Sequence, residues 1–455
     1  MKSKESRPEG FRTTLMLALP LGLASAGEQL LGLVDTLIAG QLGAAQLAAT
    51  GLGNALFMSA LIMGIGLLSG IETLTAQARG RQETQAIARI LRSRRLLSLI
   101  LSIPVIALSE IFLRTYFAIG DIDIILQQEM SVYLAARYLS VPFVLHSTVS
   151  RALLQAFEDP KAVLRSMIWV NIINLPLNIV FATDLHTSVF GIELRTFGWG
   201  VVGLGLSTSV VSCFRAIYLK QQFSHHMKPS AQSMTRTDLE KLCLIGIPIG
   251  LHWLSEMSLF SVVGLMAGLI GVHQAAAHQI ALTLASLSFT LCLGLSIAGT
   301  VRVGLAVGEK DAHRARREGN RGVFCALLLM GVSGICFFVF NRQLVSLFSS
   351  DPLVLSVAEE LLKIAAAFQL VDGVQAVMAG NLRGLGATRW AFISALIGFW
   401  LIGFPTAYYF SLTDGTHGLW WGLVTGLAVS AALQALGFYR NLTASRFQTF
   451  VKLLD

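Results

Sequence analysis

The sequence predicts an all-α polytopic membrane protein, with twelve transmembrane helices arranged as two pseudo-symmetric six-helix lobes. Three observations predict it. Hydrophobic residues make up 54% of the 455-residue chain and charged residues only 13%, against about 25% charged in an average soluble domain; mean hydropathy is +0.67. Apolar runs of about 18 residues or more recur along the whole length, as a hydrocarbon core about 30 Å thick demands. The two halves also repeat one another. Pro20 and Pro248, Glu28 and Glu256, Gly40 and Gly268, and Gln46 and Gln274 are each 228 residues apart. Only helices and closed barrels satisfy every backbone group in lipid, and runs this long without strict alternation are helical.

Apolar segments fall at 14–40, 47–77, 96–117, 130–153, 163–183 and 200–219, and then at 242–269, 275–304, 322–340, 354–381, 390–411 and 418–438. Six and six give an N-terminal lobe over 1–219, a polar linker over 220–241 and a C-terminal lobe over 242–455. The first segment has a basic start (Lys2, Lys4, Arg7, Arg12) and an Ala24-Ser25-Ala26 stretch like a secretory leader. Its repeat partner lies mid-chain, so it reads as a retained helix. Further along, Arg151-Ala-Leu-Leu-Gln pairs with Gly380-Asn-Leu-Arg-Gly, and Leu175-Pro176 with Phe404-Pro405, at a displacement of 229. An even number of helices per half leaves both copies in one orientation, the arrangement of parallel repeats. Prolines 20, 142, 176, 248 and 405 fall inside these segments, where each removes a backbone donor and favours a kink.

Basic residues orient the bundle. With a cytoplasmic N-terminus, Arg79, Arg81, Arg89, Arg92, Arg94 and Arg95 belong to a cytoplasmic loop, as do Lys161 and Arg165. Lys220, Lys228, Arg236 and Lys241 follow, then Lys310, Arg314, Arg316, Arg317 and Arg321, and finally Arg440, Arg446 and Lys452. Arg114, Arg137, Arg195 and Arg342 are left for the outer loops, with Lys363 near an outer helix end. Both termini are therefore expected inside, in a plasma (inner) membrane. The net charge of +8 then reflects orientation and implies no nucleic acid. Five cysteines without Cys-x-x-Cys spacing indicate neither a disulfide framework nor zinc. No glycine-rich loop ends in Lys-Ser/Thr, so no ATPase is expected. No catalytic cluster is visible, and the chain reads as a non-enzyme without a cofactor.

A charged side chain at the bilayer centre costs about 2.5–3.5 kcal/mol on insertion scales, so intramembrane acids are functional candidates. Glu256 and Asp372 are those of the second half. Either they form a structural polar network of neutral, hydrogen-bonded acids, or they exchange a proton or ion for a cationic ligand. In the first half Glu28 and Asp35 stand seven residues, about 10 Å, apart on one helix. Asn171, Asn174 and Asn178 share one face of the fifth segment beside Pro176. Carboxylate and amide oxygens suit a hard cation such as Na⁺, while interhelical hydrogen bonding is the alternative for the asparagines. His278, Gln279 and Thr208 are weaker candidates. Glu72, Glu110 and Arg302 read as residues snorkelling at helix ends.

These residues resemble the multidrug and toxic compound extrusion (MATE) family over nearly the whole chain, and within it the NorM-like branch. The marks are Val34-Asp-Thr-Leu-Ile-Ala-Gly40, Asn174-Leu-Pro-Leu-Asn178, Gly246-Ile-Pro-Ile-Gly250 with Glu256, Ala276-Ala-His-Gln-Ile280, and Asp372 with Leu382-Arg-Gly384. The resemblance implies cation coupling at Asp35, Asn174, Asn178, Glu256 and Asp372, and Glu28, an acid on the same helix as Asp35, is a further coupling candidate that favours a proton. Na⁺ would sit at Asp35, Asn174 and Asn178, and substrate would bind at Glu256, Asp372, Gln279 and Phe368. Two positions depart from the family pattern. Phe368 stands where Na⁺-binding relatives carry a tyrosine, and Glu28 where glutamine is expected, so the coupling ion stays open between Na⁺ and H⁺. The expectation is a monomeric secondary active antiporter, seated in the lipid bilayer, that exports cationic, amphipathic drugs or dyes by alternating access. A lipid or lipid-linked oligosaccharide flippase of the same superfamily is the alternative, and would call for a groove rich in Arg and Lys.

Overall fold

Each of the twelve expected segments lies on helix in the computed structural model, which describes residues 10–120, 122–184, 186–189, 192–443 and 447–448. Lys2, Lys4, Arg7, Arg446 and Lys452 lie outside the described residues. The first half contains α1 (Phe11–Leu42), α2 (Ala44–Gly80), α3 (Thr84–Ile119), α4 (Ile124–Tyr138), α5 (Val141–Ala156), α6 (Pro160–Ala182) and α7 (Gly200–Ser224). A two-stranded antiparallel hairpin, β1 (His186–Val189) and β2 (Ile192–Arg195), connects α6 to α7. The second half contains α8 (Arg236–Ile270), α9 (Val272–Gly308), α10 (Ala312–Val339), α11 (Asn341–Ser346), α12 (Pro352–Leu385), α13 (Thr388–Ala395), α14 (Phe404–Asp414) and α15 (Thr416–Asn441). A π-helical stretch, Leu396–Gly403, joins α13 to α14. The protein is a multi-pass integral membrane protein: among the described residues ten helices are long and apolar enough to span a bilayer.

The two remaining segments fall short for identifiable reasons. The fourth, 130–153, is split between α4 and α5, each too short to span alone. Pro142 sits in the first turn of α5, where its missing N–H breaks the hydrogen-bond ladder. Leu139 and Ser140 keep right-handed helical dihedrals, so the chain runs on in the same sense. The tenth lies on α12, whose apolar stretch is interrupted by Gln369, Asp372 and Gln375 and is enclosed by α9, α10 and α15. Pro405 likewise occupies the first turn of α14, whereas Pro20, Pro176 and Pro248 are inside α1, α6 and α8.

Helices begin earlier than hydropathy alone indicates. Arg89, Arg92, Arg94 and Arg95 lie on α3, and Arg314, Arg316, Arg317 and Arg321 on α10, not in loops. Arginine is a good helix former, so basic lead-in turns continue the apolar helix. Arg137 is not in an outer loop either: it is a buried residue of α4.

Two compact units are distinguished. The N-terminal unit comprises Ala26–Ile71 and Thr84–Leu242, and the C-terminal unit comprises the described residues through Ser25, Glu72–Glu83 and the chain from Cys243 onward. Helices α1 and α2 contribute to both. Within the N-terminal unit α7 packs on α4, α5 and α6. Within the C-terminal unit α12 is central, lying against α9, α10 and α15. Large apolar side chains such as Leu265 and Leu269 stay exposed, at 70% and 89%, as a lipid-facing surface requires.

The internal repeat is visible in the backbone. Helices α2 and α9 are both 37 residues long and start and end 228 residues apart. Gln82 and Lys310, and Glu158 and Gly386, have positive φ at the same displacement. After α5 the Asp159 N–H donates to the Leu154 carbonyl at 3.0 Å, and Ala387 donates to Leu382 at 2.9 Å. This places Arg151 opposite Ala379, one residue off the pairing with Gly380 read from the sequence. Pro176 and Pro405 nonetheless stand 229 apart. The second copy therefore holds one residue more between these points, and the π stretch lies in that interval. A π turn is the helix's way of absorbing an inserted residue.

Candidate functional site: two carboxylate clusters

In the N-terminal unit the α1 face carrying Asp35 meets α6 and α7. Asn178 Nδ2 donates to Asp35 Oδ1 at 2.6 Å and to Asn174 Oδ1 at 3.0 Å, while Thr208 Oγ1 donates to Asp35 Oδ2 at 3.2 Å. Asn174 and Asn178 are both fully buried. Their i, i+4 spacing on α6 puts the two amides in register, and Pro176 between them leaves the Pro176 position without an amide donor. Among the described residues Asn178 Oδ1 is buried with no donor. An orphaned amide oxygen beside a carboxylate fits a hard cation. Thr208, a weak candidate in the sequence, thus belongs to this cluster. Asn171 does not: its amide donates to the Gly27 and Met167 carbonyls, at 3.0 and 2.9 Å. Arg137 lies in the electrostatic field of Asp35, donates to Asn54 Oδ1 at 3.2 Å and stacks 4.7 Å from the Phe57 ring centroid.

Glu28 is also separate from Asp35. Its Oε1 accepts from Arg151 Nη1 at 3.1 Å and from Arg215 Nη2 at 2.8 Å. Two turns of α1 therefore carry acids with different partners, one amide and hydroxyl, the other guanidinium.

In the C-terminal unit Asp372 on α12 is 4% exposed, and Glu256 on α8 lies within its electrostatic reach. Among the described residues neither carboxyl receives a hydrogen bond from a side chain or a backbone N–H. Arg383, three turns along α12 from Asp372, supplies the positive field at Glu256 and also faces the buried Glu72. Its guanidinium donates to Ser296 Oγ on α9 at 2.9 Å and lies 5.8 Å from the Trp253 ring centroid. The sequence marked Arg383 as part of a motif. Its placement beside Glu256 comes from the packing of α8, α9 and α12. Glu72 and Arg302 are buried rather than snorkelling. Arg302 meets Glu318 through Nε at 2.6 Å and Nη2 at 3.1 Å.

The remaining expected residues surround this pair unequally. Phe368, one turn before Asp372, is 2% exposed and packs edge-on against Trp420 and Phe260, at centroid distances of 5.5 and 6.2 Å. His278 accepts from Trp420 Nε1 at 3.2 Å. Gln279 points to the other side of α9, exposed, lining a depression of about 320 Å³ with Ala276, Thr283 and Phe348. Trp400, in the π stretch, donates from Nε1 to the Ser255 carbonyl at 3.3 Å, next to Glu256 in the chain.

A sequence model of the MatE family matches residues 20–180 and again 248–409, two stretches displaced as the internal repeat is. The chain is 34% identical over 455 residues to a probable multidrug resistance protein NorM of Rhizobium meliloti (strain 1021), covering 97% of this chain and 96% of that one. It is 33% identical to multidrug resistance protein NorM of Burkholderia vietnamiensis, covering 94% and 93%. It is 29% identical to multidrug resistance protein MdtK of Yersinia pseudotuberculosis, covering 93% and 94%. Among solved structures, an outward-facing multidrug resistance MATE family transporter superposes with a TM-score of 0.87 over 99% of this chain and 100% of that one. The eukaryotic MATE transporter AtDTX14 does so with 0.84 over 98% and 100%. Both are 19% identical, a likeness of fold. With the family's pattern matched twice and its bundle reproduced throughout, the chain belongs to the MatE (multidrug and toxic compound extrusion) family.

Proposed function

We propose that the protein is a secondary active multidrug exporter that exchanges inward-moving Na⁺ or H⁺ for amphipathic organic cations by alternating access. The observation that carries this reading is the Glu256–Asp372 pair. Two neighbouring acids in an apolar interior, with no hydrogen bond from the described residues to hold them, are poorly explained as a structural network, since buried polar groups kept for structure are hydrogen-bonded. Their chemistry suits an exchange site instead. A cation arriving at the pair, whether Na⁺, H⁺ or an organic ammonium, relieves the repulsion between like charges, and no second cation is then favoured. Arg383 is shared between Glu256 and the buried Glu72, so it does not neutralise the Glu256–Asp372 pair and negative charge is left for a ligand. The cluster of Asp35, Asn174, Asn178 and Thr208 is the proposed second ion site. The protein acts as a monomer in the inner membrane, with both termini in the cytoplasm and two pseudo-symmetric six-helix lobes joined by a linker over 220–241.

The deciding experiment is ethidium efflux from proteoliposomes under separately imposed Na⁺ and pH gradients. Each unit of pH difference supplies about 1.4 kcal/mol per proton, enough for a tenfold dye gradient. Efflux under either gradient, abolished in a well-expressed Asp372→Asn protein, is expected. Unchanged efflux in that variant removes Asp372 from the mechanism. Absence of efflux under both gradients, with accelerated lipid scrambling instead, favours a flippase.

A further inference from the structure

The cluster of Glu28 on α1, Arg151 on α5 and Arg215 on α7 has no part in the cation exchange above. It lies within the N-terminal unit and carries a net charge of +1 inside three apolar helices. A second Arg–Glu–Arg cluster in this protein shows what a purely structural one looks like. There Glu318 is 1% exposed, uses both oxygens in a two-pronged contact with Arg302, and takes a further bond from Arg321 at 2.7 Å. Its acid and Arg302 are closed off, at 1% and 5% accessible, while Arg321 is 18% accessible.

The Glu28 cluster is built differently. One oxygen, Oε1, takes one donor from each guanidinium, at 3.1 and 2.8 Å. Each guanidinium carries five N–H donors, so most remain uncommitted. Among the described residues Arg215 Nε is buried without any acceptor, a costly state for a charged donor. The difference in access lies in the acid and Arg151, at 41% and 24%; Arg215, at 16%, is no more open than Arg321. Guanidinium pairs with free forks are matched by planar, two-oxygen anions.

We propose that Arg151 and Arg215 form a binding site for a carboxylate carried by the exported compound. Its two oxygens take the guanidinium donors that Glu28 leaves free. Glu28 sets the strength of the site: it holds the two arginines side by side and cancels one of their charges, so that the anion binds reversibly. The proposal rests on the exporter reading and assigns to this pair the carboxylate of a zwitterionic substrate. No covalent step is involved.

The test measures equilibrium binding to the detergent-purified full chain by fluorescence anisotropy, with two probes that differ only in one group. Rhodamine 123 is a methyl ester and a cation; rhodamine 110 carries the free carboxyl group. The expected result is measurable binding of both, with the preference for the acid over the ester falling at least tenfold in Arg215→Gln and in Arg151→Gln. Glu28→Gln should shift the preference the other way, toward the acid, because a competing carboxylate is gone. That variant also guards against trivial unfolding, since misfolding alters the binding of both probes alike and does not shift the preference toward the acid. Failure of the wild-type protein to bind the acid, or equal loss of both probes in the arginine variants, overturns the proposal. Because the readout is binding, a protein that binds both probes yet drives no dye efflux under either gradient refutes the exporter reading alone.

Discussion

Asp372 and Asp35 are both acids within membrane helices, and their surroundings separate them. Asp35 has its oxygens occupied by Asn178 and Thr208, so its charge is solvated by fixed dipoles. Asp372 shares its space with Glu256 and takes no hydrogen bond among the described residues. Removing the charge at Asp372 should therefore abolish exchange, at least a hundredfold in initial efflux rate. Asn178→Ala removes a donor to Asp35 and the orphaned oxygen together. In proteoliposomes driven by Na⁺, the Na⁺ concentration for half-maximal efflux should rise at least tenfold in that variant. An unchanged Na⁺ dependence would exclude Asn178 as an ion ligand. Thr208 was only weakly marked in the sequence because nothing in a single helix shows that its hydroxyl meets Asp35 on another.

At the scale of elements, the π stretch Leu396–Gly403 is where the two copies of the repeat part company. The equivalent interval of α6 is one residue shorter and regular. The inserted residue lets Trp400 reach the Ser255 carbonyl on α8, beside Glu256. Trp400→Phe should lose that bond at a cost of about 1 kcal/mol, seen as a lowered thermal midpoint in detergent. A greater effect on efflux than on the thermal midpoint would identify Trp400 as a residue positioning Glu256. Close approach of backbone is the second device at this scale. Gly80 and Gly308 occupy equivalent places in the repeat and meet each other: a Cβ on Gly308 would come within 2.1 Å of the Gln77 carbonyl oxygen, and one on Gly80 within 2.3 Å of that of Leu305. Valine at either position should prevent accumulation of folded protein, measured as loss of the monodisperse chromatographic peak.

For the whole molecule, two independent acid clusters have a thermodynamic consequence. If each exchanges one monovalent cation per cycle while one organic cation leaves, a net positive charge moves inward. Such a cycle draws on the membrane potential, which supplies about 2.3 kcal/mol per charge at 100 mV. An inside-negative potassium diffusion potential should then accelerate efflux in cells or right-side-out vesicles, and Asp35→Asn should remove that acceleration while leaving gradient-driven exchange. Insensitivity of the wild type to potential would mean one coupling ion per cycle. Stability rests elsewhere, on such contacts as the sealed Arg302–Glu318 pair. Glu318→Gln removes the buried charge that Arg302 and Arg321 share and should cost about 3–5 kcal/mol, read as a thermal midpoint far below that of wild type.

The sequence by itself determined the class of fold, the twelve apolar segments and the duplication, because hydrophobicity and repetition are written in residue order. It also named Asp35, Asn174, Asn178, Glu256 and Asp372, since a charge in an apolar run is visible without coordinates. What only the tertiary structure decided is which of these groups meet. Asn171 shares a helical face with Asn174 and Asn178, yet α1 offers it the Gly27 carbonyl in place of a carboxylate. Glu28 shares α1 with Asp35, yet α5 and α7 bring it two guanidiniums. Arg302 read as a surface cation until α10 supplied Glu318. Spacing along a helix sets the direction of a side chain; its partner comes from another helix, whose rotation and depth are set by packing along its whole length.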